Sequence, residues 1–460
     1  MRSTRRDFLR SATATAMGLA GLRAAFPNRV FASDGPGARP GGGFGPLVED
    51  PAGLVDLPEG FTYRVLSRAG AEMDDGLLVP GKHDGMAAFR GERGRVILMR
   101  NHELEPQMTD LSPYGPKQER LGLVDRARLF DPTPALGGVT AVEFDEDAFA
   151  VTRHHMALAG TKRNCAGGPT PWGTWISCEE DVTCRAEGFS MDHGWCFEVP
   201  ATMDGGLVQP VALRAMGRFY HEAVAVDPRT SIVYLTEDRA DGLFYRFLPR
   251  VPGRLAEGGT LQALALLDQP SGDTRNLEGL PIIAVGSRTH VRWIDLEDVE
   301  SLAADDLRHR GFGAGAARFA RGEGIWFADG SVYIACTDGG PRGLGQMWRY
   351  RPSPAEGSPQ EHRHPGSLEL WVESLDGSIL KNCDNLTVAP WGDVLVCEDG
   401  AGNDRVMGIT PAGETYPFAR NIGSTGECAG VCVSPSGRTV FFNLQEQAVT
   451  IAVQGPFPRV

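Results

Sequence analysis

Short hydrophobic runs separated by turn residues fill the chain from about residue 50 to its end, and helical periodicity is almost absent. A typical stretch begins at Glu323 and reads EGIWFADGSVYIACTDGG, two apolar runs around an Asp-Gly turn. Apolar runs of roughly four to eight residues bounded by Gly, Pro, Asn and Asp are typical of β-strands joined as hairpins. The sequence therefore predicts an all-β protein.

One unit of this pattern recurs along the chain. It consists of an acidic or Asn residue, a hydrophobic strand, a tight turn, a second strand and another acidic pair. Copies begin at His221, Glu323, Asp384 and Glu427, and a fainter copy begins at Asp84. Four-stranded repeats of about 40 to 50 residues are typical of a β-propeller, for which we predict six blades. A stacked sandwich would not repeat an acidic residue at one point of each unit.

Residues 1–32 have the features of an export signal. The segment TRRDFLR from Thr4 is a twin-arginine motif, and the weakly apolar SATATAMGLAGL and a candidate cleavage site after Ala32 follow it. We expect export through the twin-arginine (Tat) translocon to the periplasm or the cell exterior. The apolar run is too short to remain as a membrane anchor. Because this route carries folded proteins, it favours a metal or cofactor that is loaded before export.

Three further segments complete the predicted organisation. Residues 33–50 are rich in Gly and Pro and predict a flexible linker, and residues 51–460 form the propeller. The segment FTYRVLS from Phe61 is expected to join the C-terminal blade and close the ring. Residues 250–320 interrupt the repeat with a helix-like stretch, DLEDVESLAADDLRHRG, and we interpret them as an insertion or an atypical blade.

Charge and cysteine content exclude some classes of function. The formal net charge of −14 argues against nucleic-acid binding, which requires basic surfaces. The nine cysteines lie mostly in strand-like runs without disulfide-type spacing, and pairs such as Cys184 with Cys196 stay open. No GxSxG, P-loop or HExxH motif supports a common hydrolase or nucleotide-binding protein.

The repeated acids are the candidate chemistry. Because the first strand of each blade lines the channel, we expect one mouth to gather Glu222, Glu323, Asp384 and Glu427, with Cys178, Glu179, Glu398 and Asp399 at nearby turns. Carboxylates in one funnel repel each other unless cations neutralise them. Carboxylate oxygens suit Ca²⁺, and a thiolate suits a softer or more highly charged ion such as iron. Solvated blade edges, and a Cys178 that is only a small buried hydrophobe, are the simpler alternatives.

Several stretches resemble, in family order, the PhoX-type alkaline phosphatases. They are NCAGGPTPWGTWISCEED, GRFYHEAVAVDP, RGEGIWFADG, NCDNLTVAPWGDVLVCEDG and ECAGVCVSPSG, spread from about residue 80 to 457. The resemblance implies a six-bladed propeller that hydrolyses phosphate monoesters with a ferric pair and several Ca²⁺ ions. It implies that Cys178, Glu222 and Glu323 bind iron and that Arg321 holds the phosphate. It also implies Ca²⁺ ligands among the carboxylates of CEED, NCDN, CEDG and ECAG, which include Glu179, Asp384, Glu398 and Glu427. The chain is shorter than the family pattern between SCEE and HEA.

The expected reaction is hydrolysis of small-molecule phosphate esters. Two close metals would neutralise phosphoryl charge and activate a water, while Arg321 would bind two phosphate oxygens through its planar fork. No serine or threonine is compellingly placed as a covalent nucleophile. Two alternatives stay open at this point: a Ca²⁺-dependent lactonase-like hydrolase, and a non-catalytic periplasmic propeller that metals only stabilise.

Overall fold

The computed structural model describes residues 42–132, 135–280 and 282–458. The predicted export signal and the first part of the predicted linker lie outside these residues. Within them, the chain forms antiparallel strands with one short α-helix, α1 (Leu307–Gly313). No helix of the described ranges is both long enough and apolar enough to cross a membrane.

The strands fall into six successive units, most of them four strands deep. Three strands come before the first unit in the chain and pair with strands of later units. They are β1 (Leu47–Val48), β2 (Val55–Pro58) and β3 (Thr62–Arg68). The first unit contains β4 (His83–Arg90), β5 (Val96–His102), β6 (Gly137–Asp145) and β7 (Ala150–Thr161). The second contains β8 (Asn164–Pro169), β9 (Thr174–Glu179) and β10 (Cys196–Pro200). The third contains β11 (His221–Val226), β12 (Val233–Glu237), β13 (Gly242–Pro249), β14 (Gly259–Leu266) and β15 (Arg288–Asp295), with β16 (Arg318–Phe319) paired to β13.

The other three units complete the circle. The fourth contains β17 (Gly322–Ala328), β18 (Ser331–Cys336), β19 (Gln346–Arg351) and β20 (Ser367–Glu373). The fifth contains β21 (Cys383–Val388), β22 (Val394–Glu398), β23 (Arg405–Ile409) and β24 (Thr415–Asn421). The sixth contains β25 (Cys428–Val433), β26 (Thr439–Leu444) and β27 (Val449–Gln454). Short 3₁₀ helices lie at Glu92–Gly94, Thr109–Leu111, Leu121–Leu123, Arg126–Arg128, Arg185–Glu187, Arg214–Met216, Leu255–Glu257 and Glu361–Arg363.

The first strand of each unit faces the centre of the ring. In chain order β4, β8, β11, β17, β21 and β25 each pack against the next, and β25 packs back against β4. We call these the inner strands. Antiparallel sheets that radiate from such a closed cycle form a β-propeller, which confirms the predicted all-β propeller fold. Hydrophobic side chains of neighbouring sheets fill the space between them, among them the buried aromatic residues Tyr234, Phe244, Trp348 and Tyr350.

The N-terminal part of the described chain closes the ring. Strand β3 pairs antiparallel with β27, which confirms the prediction for FTYRVLS. Strand β2 extends the fifth unit through β24. Phe44 packs edge-on against Phe61, Phe418 and Phe457. The expectation of a flexible linker up to residue 50 therefore needs correction, because the chain is packed into the propeller from Phe44 onward.

The region 250–320 extends the third unit. Strand β14 is its fourth strand, and β15 adds a fifth that also pairs with β20, so the third and fourth units share one sheet. The helix begins only at Leu307, later than the sequence suggested. Asp298 and Ser301 have left-handed backbone angles, with φ of 46° and 37°, which cannot continue a right-handed helix.

Candidate metal centre

Each inner strand is irregular at the same place. In all six described inner strands, the pairing register shifts across two residues near the N-terminal end. Two residues in each strand lie within the shift and have no partner in the ladder. The first of the two, which we call the bulge residue, is Asp84, Cys165, Glu222, Glu323, Asp384 or Gly430. A β-bulge takes a side chain out of the normal alternation and re-aims it. Five carboxyl or thiol side chains are thereby presented from equivalent positions around the ring.

A second set of acids comes from the end of the second strand in four units. Glu103, Glu180, Asp238 and Asp399 directly follow β5, β9, β12 and β22. The backbone N–H of each donates to the carbonyl of the residue two positions before its unit's bulge residue, over 2.9 to 3.2 Å. Those carbonyls belong to Lys82, Arg163, Tyr220 and Asn382. In each of the four units, this repeated hydrogen bond holds the acid at the end of the second strand close to the bulge residue of the first strand.

Three groups of these side chains could each hold a metal ion, because their ligand atoms lie within 4.8 Å of one another. We call them the thiol cluster (Cys165, Glu180, Glu222), the central cluster (Glu222, Glu323, Asp384) and the side cluster (Asp84, Glu103, Glu427). Glu222 belongs to both the thiol cluster and the central cluster. The residues of these two clusters are all buried. The two clusters therefore form one continuous set of ligands from four units.

Burial shifts the pKa values of the residues in these two clusters. It raises the pKa of Glu222, Glu323 and Asp384 well above the ordinary range, and the neighbouring carboxylates raise it further. Burial likewise raises the pKa of the Cys165 thiol, and the charges of Glu222 and Glu180 add to the effect. Buried carboxylates that repel one another need either protons or cations. Oxygen donors with one thiol fit metal ions, hard ones for the carboxylates and a softer or more highly charged one beside the sulfur.

Arg321 lies at the edge of the central cluster, as the sequence suggested. Its Nε and Nη2 donate to the two carboxylate oxygens of Asp238 over 2.7 and 2.8 Å, and Nη2 also donates to Glu323 over 2.8 Å. Within the described residues Nη1 forms no hydrogen bond, and it lies 3.9 Å from Asp338. Burial alone would lower the pKa of Arg321, but the hydrogen bond to Asp238 and the charge of Glu323 raise it. One end of the guanidinium is therefore fixed and the other is available.

The structure places three of the expected site residues outside the clusters. Cys178 is buried in the apolar core, with its Sγ 3.7 Å from that of Cys196. Glu179 accepts hydrogen bonds from His193 over 2.7 Å and from the backbone N–H of Gly194 over 2.9 Å.

Glu398, the third of them, has both oxygens bonded to Arg405 over 2.7 Å. Successive residues of a strand face opposite sides. In the second unit, the side chain that reaches the mouth from the end of β9 is therefore Glu180, the residue after Glu179. The thiol at the mouth comes from the first strand of the same unit, and it is Cys165.

Glu222, Glu323, Asp384 and Glu427 are brought together in the clusters, and sequence reasoning missed several of their companions. These are Asp84, Glu103, Cys165 and Asp238, and Glu180 was expected only as one of the carboxylates of CEED. The acidic pairs in SCEED and TEDR were visible in the sequence. Which member of each pair faces the channel depended on the exact end of the strand.

The fold and this ligand-rich mouth define the protein as a β-propeller with a candidate metal centre in its central channel. Comparison with known families is more specific: residues 42–447 match the family described as Alkaline phosphatase PhoX. The chain belongs to this family of phosphatases, which are hydrolases. No match was found among curated individual proteins.

Of three similar solved structures, the first supports the fold. Pseudomonas fluorescens PhoX, solved in complex with vanadate, a transition state analogue, is 19% identical with a TM-score of 0.65, over 88% of this chain and 96% of that chain. A gluconolactonase from Xanthomonas campestris is 13% identical with a TM-score of 0.40, over 91% and 99% of the two chains. Virginiamycin B lyase from Staphylococcus aureus is 8% identical with a TM-score of 0.37, over 86% and 99%.

Proposed function

We propose that the protein is an exported phosphatase that hydrolyses phosphate monoesters at the mouth of the propeller, with iron and calcium ions bound by the acid clusters. The observation that carries this proposal is the position of Glu222, which links a thiol-containing ligand set to an all-carboxylate set. Arg321, hydrogen-bonded to Glu323, lies beside them with a free N–H end. This arrangement offers ligands for adjacent metals and a cation for a phosphate oxygen.

The ligand types suggest which ions each cluster holds. Cys165, Glu180 and Glu222 suit one iron of a ferric pair, and the central cluster, which shares Glu222, suits the second. The side cluster has only carboxylates and suits Ca²⁺. Bound metals of this kind neutralise phosphoryl charge and lower the pKa of water. In this assignment Cys165 takes the role that the sequence suggested for Cys178.

Arg321 is proposed to bind and orient the phosphoryl group. The expectation that its fork grips two oxygens changes, because Asp238 already occupies the Nε and Nη2 edge. Nη1 is the end left for substrate, and Asp238 fixes the plane in which it points. A rigidly held guanidinium loses little freedom on binding, so its charge-assisted hydrogen bond is aimed before substrate arrives.

Export by the Tat translocon to the periplasm or the cell exterior is part of the proposal and rests on the twin-arginine motif. That motif lies outside the described residues. Changing Arg5→Lys together with Arg6→Lys should retain the protein in the cytoplasm, as judged by cell fractionation and immunoblotting. Unchanged export of the double variant would contradict this route.

The test of the catalytic proposal compares two cysteines. Wild type, Cys165→Ser and Cys178→Ser are purified after native export, assayed for iron and calcium, and tested with p-nitrophenyl phosphate at alkaline pH. We expect Cys165→Ser to lose iron and most of its activity, whereas Cys178→Ser keeps both. Calcium without iron together with lactone hydrolysis would favour the lactonase-like alternative. Metals that raise the melting temperature without any ester cleavage would favour the non-catalytic propeller.

A further inference from the structure

Four of the six units share a second feature beside the bulge. The residue two positions before the bulge residue has a left-handed backbone in Lys82, Arg163, Arg321 and Asn382, with φ between 46° and 50°. Non-glycine residues adopt this conformation rarely, and at some energetic cost. Its repetition in equivalent places means that the fold presents these four side chains from corresponding positions on the rim. Arg163 is thus the counterpart, in the second unit, of Arg321 in the fourth.

Arg163 and Arg321 also have similar surroundings. Their side chains are 32% and 30% exposed, so both reach the mouth and both touch solvent. Each is bonded to a carboxylate of a metal-ligand cluster: Arg163 Nη2 lies 3.1 Å from Glu180 Oε2, and Arg321 Nη2 lies 2.8 Å from Glu323 Oε1. Burial raises the pKa of Glu180, and the positive charges of Arg163 and Arg321 both act against this rise. The two guanidinium groups therefore flank the same part of the site.

Their remaining partners differ in one respect. Arg321 is held by Asp238, which lies in none of the three clusters of the described chain. Arg163 is held by Glu103 over 3.0 Å and by Glu180 over 3.1 Å, which both belong to clusters, while Glu105, which belongs to none within the described residues, lies farther away at 3.8 Å. A metal ion draws on the same carboxylate oxygens that the guanidinium uses. Metal binding therefore leaves the main anchor of Arg321 intact but competes for the two nearest acidic partners of Arg163.

We propose that Arg163 has two roles that depend on metal loading, as a counter-ion to Glu103 and Glu180 in the metal-free protein and as a second phosphate-binding cation, opposite Arg321, in the loaded protein. This inference rests on the proposed phosphatase function. It adds a residue that binds the substrate or product phosphate, and it makes the affinity of the site for phosphate depend on its metals through a side chain that is not a ligand. The other two equivalents differ from Arg163. Lys82 is bonded to Gln445 and Glu446, which belong to no cluster of the described residues, and Asn382 is uncharged.

The experiment uses full-length protein, metal-free and metal-loaded, and inorganic phosphate as the probe. Phosphate affinity is measured by isothermal titration calorimetry, the melting temperature by calorimetry, and metal content in the same samples. For Arg163→Gln in the loaded state we expect unchanged metal content, an unchanged melting temperature and about tenfold weaker phosphate binding, since one charge-assisted hydrogen bond is lost. In the metal-free state we expect a lower melting temperature, because the buried Glu180 and the partly buried Glu103 lose their counter-ion.

Two control variants separate this role from general effects. Arg163→Lys should retain part of the phosphate affinity. Arg153→Gln removes one positive charge from the outer strand β7, where the side chain is 48% exposed, and should change neither property. A melting temperature lowered equally in both metal states, or an unchanged phosphate affinity in loaded Arg163→Gln, would overturn the inference. A loaded wild type that binds no phosphate would overturn the proposed function itself, and this inference with it.

Discussion

Glu179 and Glu180 are adjacent in the sequence and have opposite surroundings. Glu179 is fully buried and hydrogen-bonded by His193, Gly194 and Trp195, whereas Glu180 faces Cys165 and Glu222. The sequence predicted Glu179 at the mouth, whereas the structure brings Glu180 there. The difference is a single step of strand alternation, and it depends on where β9 ends.

This pair gives a prediction at the level of single residues. Glu179→Gln should lower the free energy of unfolding by roughly 1 to 3 kcal/mol, because a buried acceptor of several hydrogen bonds is weakened. Glu180→Gln should change the stability of the metal-free protein little, since the loss of one repelling charge is offset by the loss of the ion pair with Arg163, but it should reduce iron content. Urea unfolding and metal analysis measure both effects. Iron loss in Glu179→Gln with a fully loaded Glu180→Gln would show that the two roles are reversed.

At the level of elements, the bulges of the inner strands direct the candidate metal ligands toward the mouth of the propeller. Their regularity could not be read from the sequence, because the repeated acids look like ordinary ends of strands. Glu427 shows the difficulty: in the sequence pattern it has the same phase as Glu222 and Glu323, yet the equivalent position in β25 is Gly430. Glu427 instead reaches the side cluster from just before that strand.

Because neighbouring inner strands lie in close contact, adding one methyl group to a glycine between them should disturb the structure. A Cβ at Gly324, the second residue of the β17 bulge, would lie 2.6 Å from the carbonyl oxygen of Asp384. Gly324→Ala should therefore push β17 from β21, destabilise the protein by about 1 to 3 kcal/mol and lower activity by displacing Glu323. Gly122→Ala, which meets no atom within 4 Å, is the matched control. Equal melting temperatures and equal activity in the two variants would contradict this role of the bulge.

At the level of the whole molecule, ring closure was predictable and the charge distribution was only partly so. FTYRVLS and the recurring hairpins contain enough hydrophobic pattern to predict a propeller closed by an N-terminal strand. The docking of Phe44 was not predictable, because a Gly-rich segment gives no sign of the aromatic pocket formed by distant residues such as Phe418 and Phe457. The convergence of acids was predictable, since any propeller brings equivalent positions of its inner strands together.

The gathered charge makes the stability of the metal-free protein depend on pH. Burial raises the pKa of Asp84, Glu222 and Glu323, so the folded state holds their protons more tightly than the unfolded state. Their contribution to stability is complete below the ordinary carboxyl pKa of about 4 and is lost as the pH rises through the raised values. The melting temperature of metal-free protein should fall from mildly acidic to alkaline pH, and added iron and calcium should reverse the fall. A metal-free protein that becomes more stable over this range would contradict the assignment.

The measurement that tests the central claim most directly is the metal content of Glu222→Gln, determined together with its hydrolysis of p-nitrophenyl phosphate. Glu222 is the ligand that the thiol and central clusters share, whereas the side cluster does not use it. We predict that this variant loses iron and catalysis while it keeps calcium and its fold. Full iron content with undiminished activity in Glu222→Gln would contradict the account.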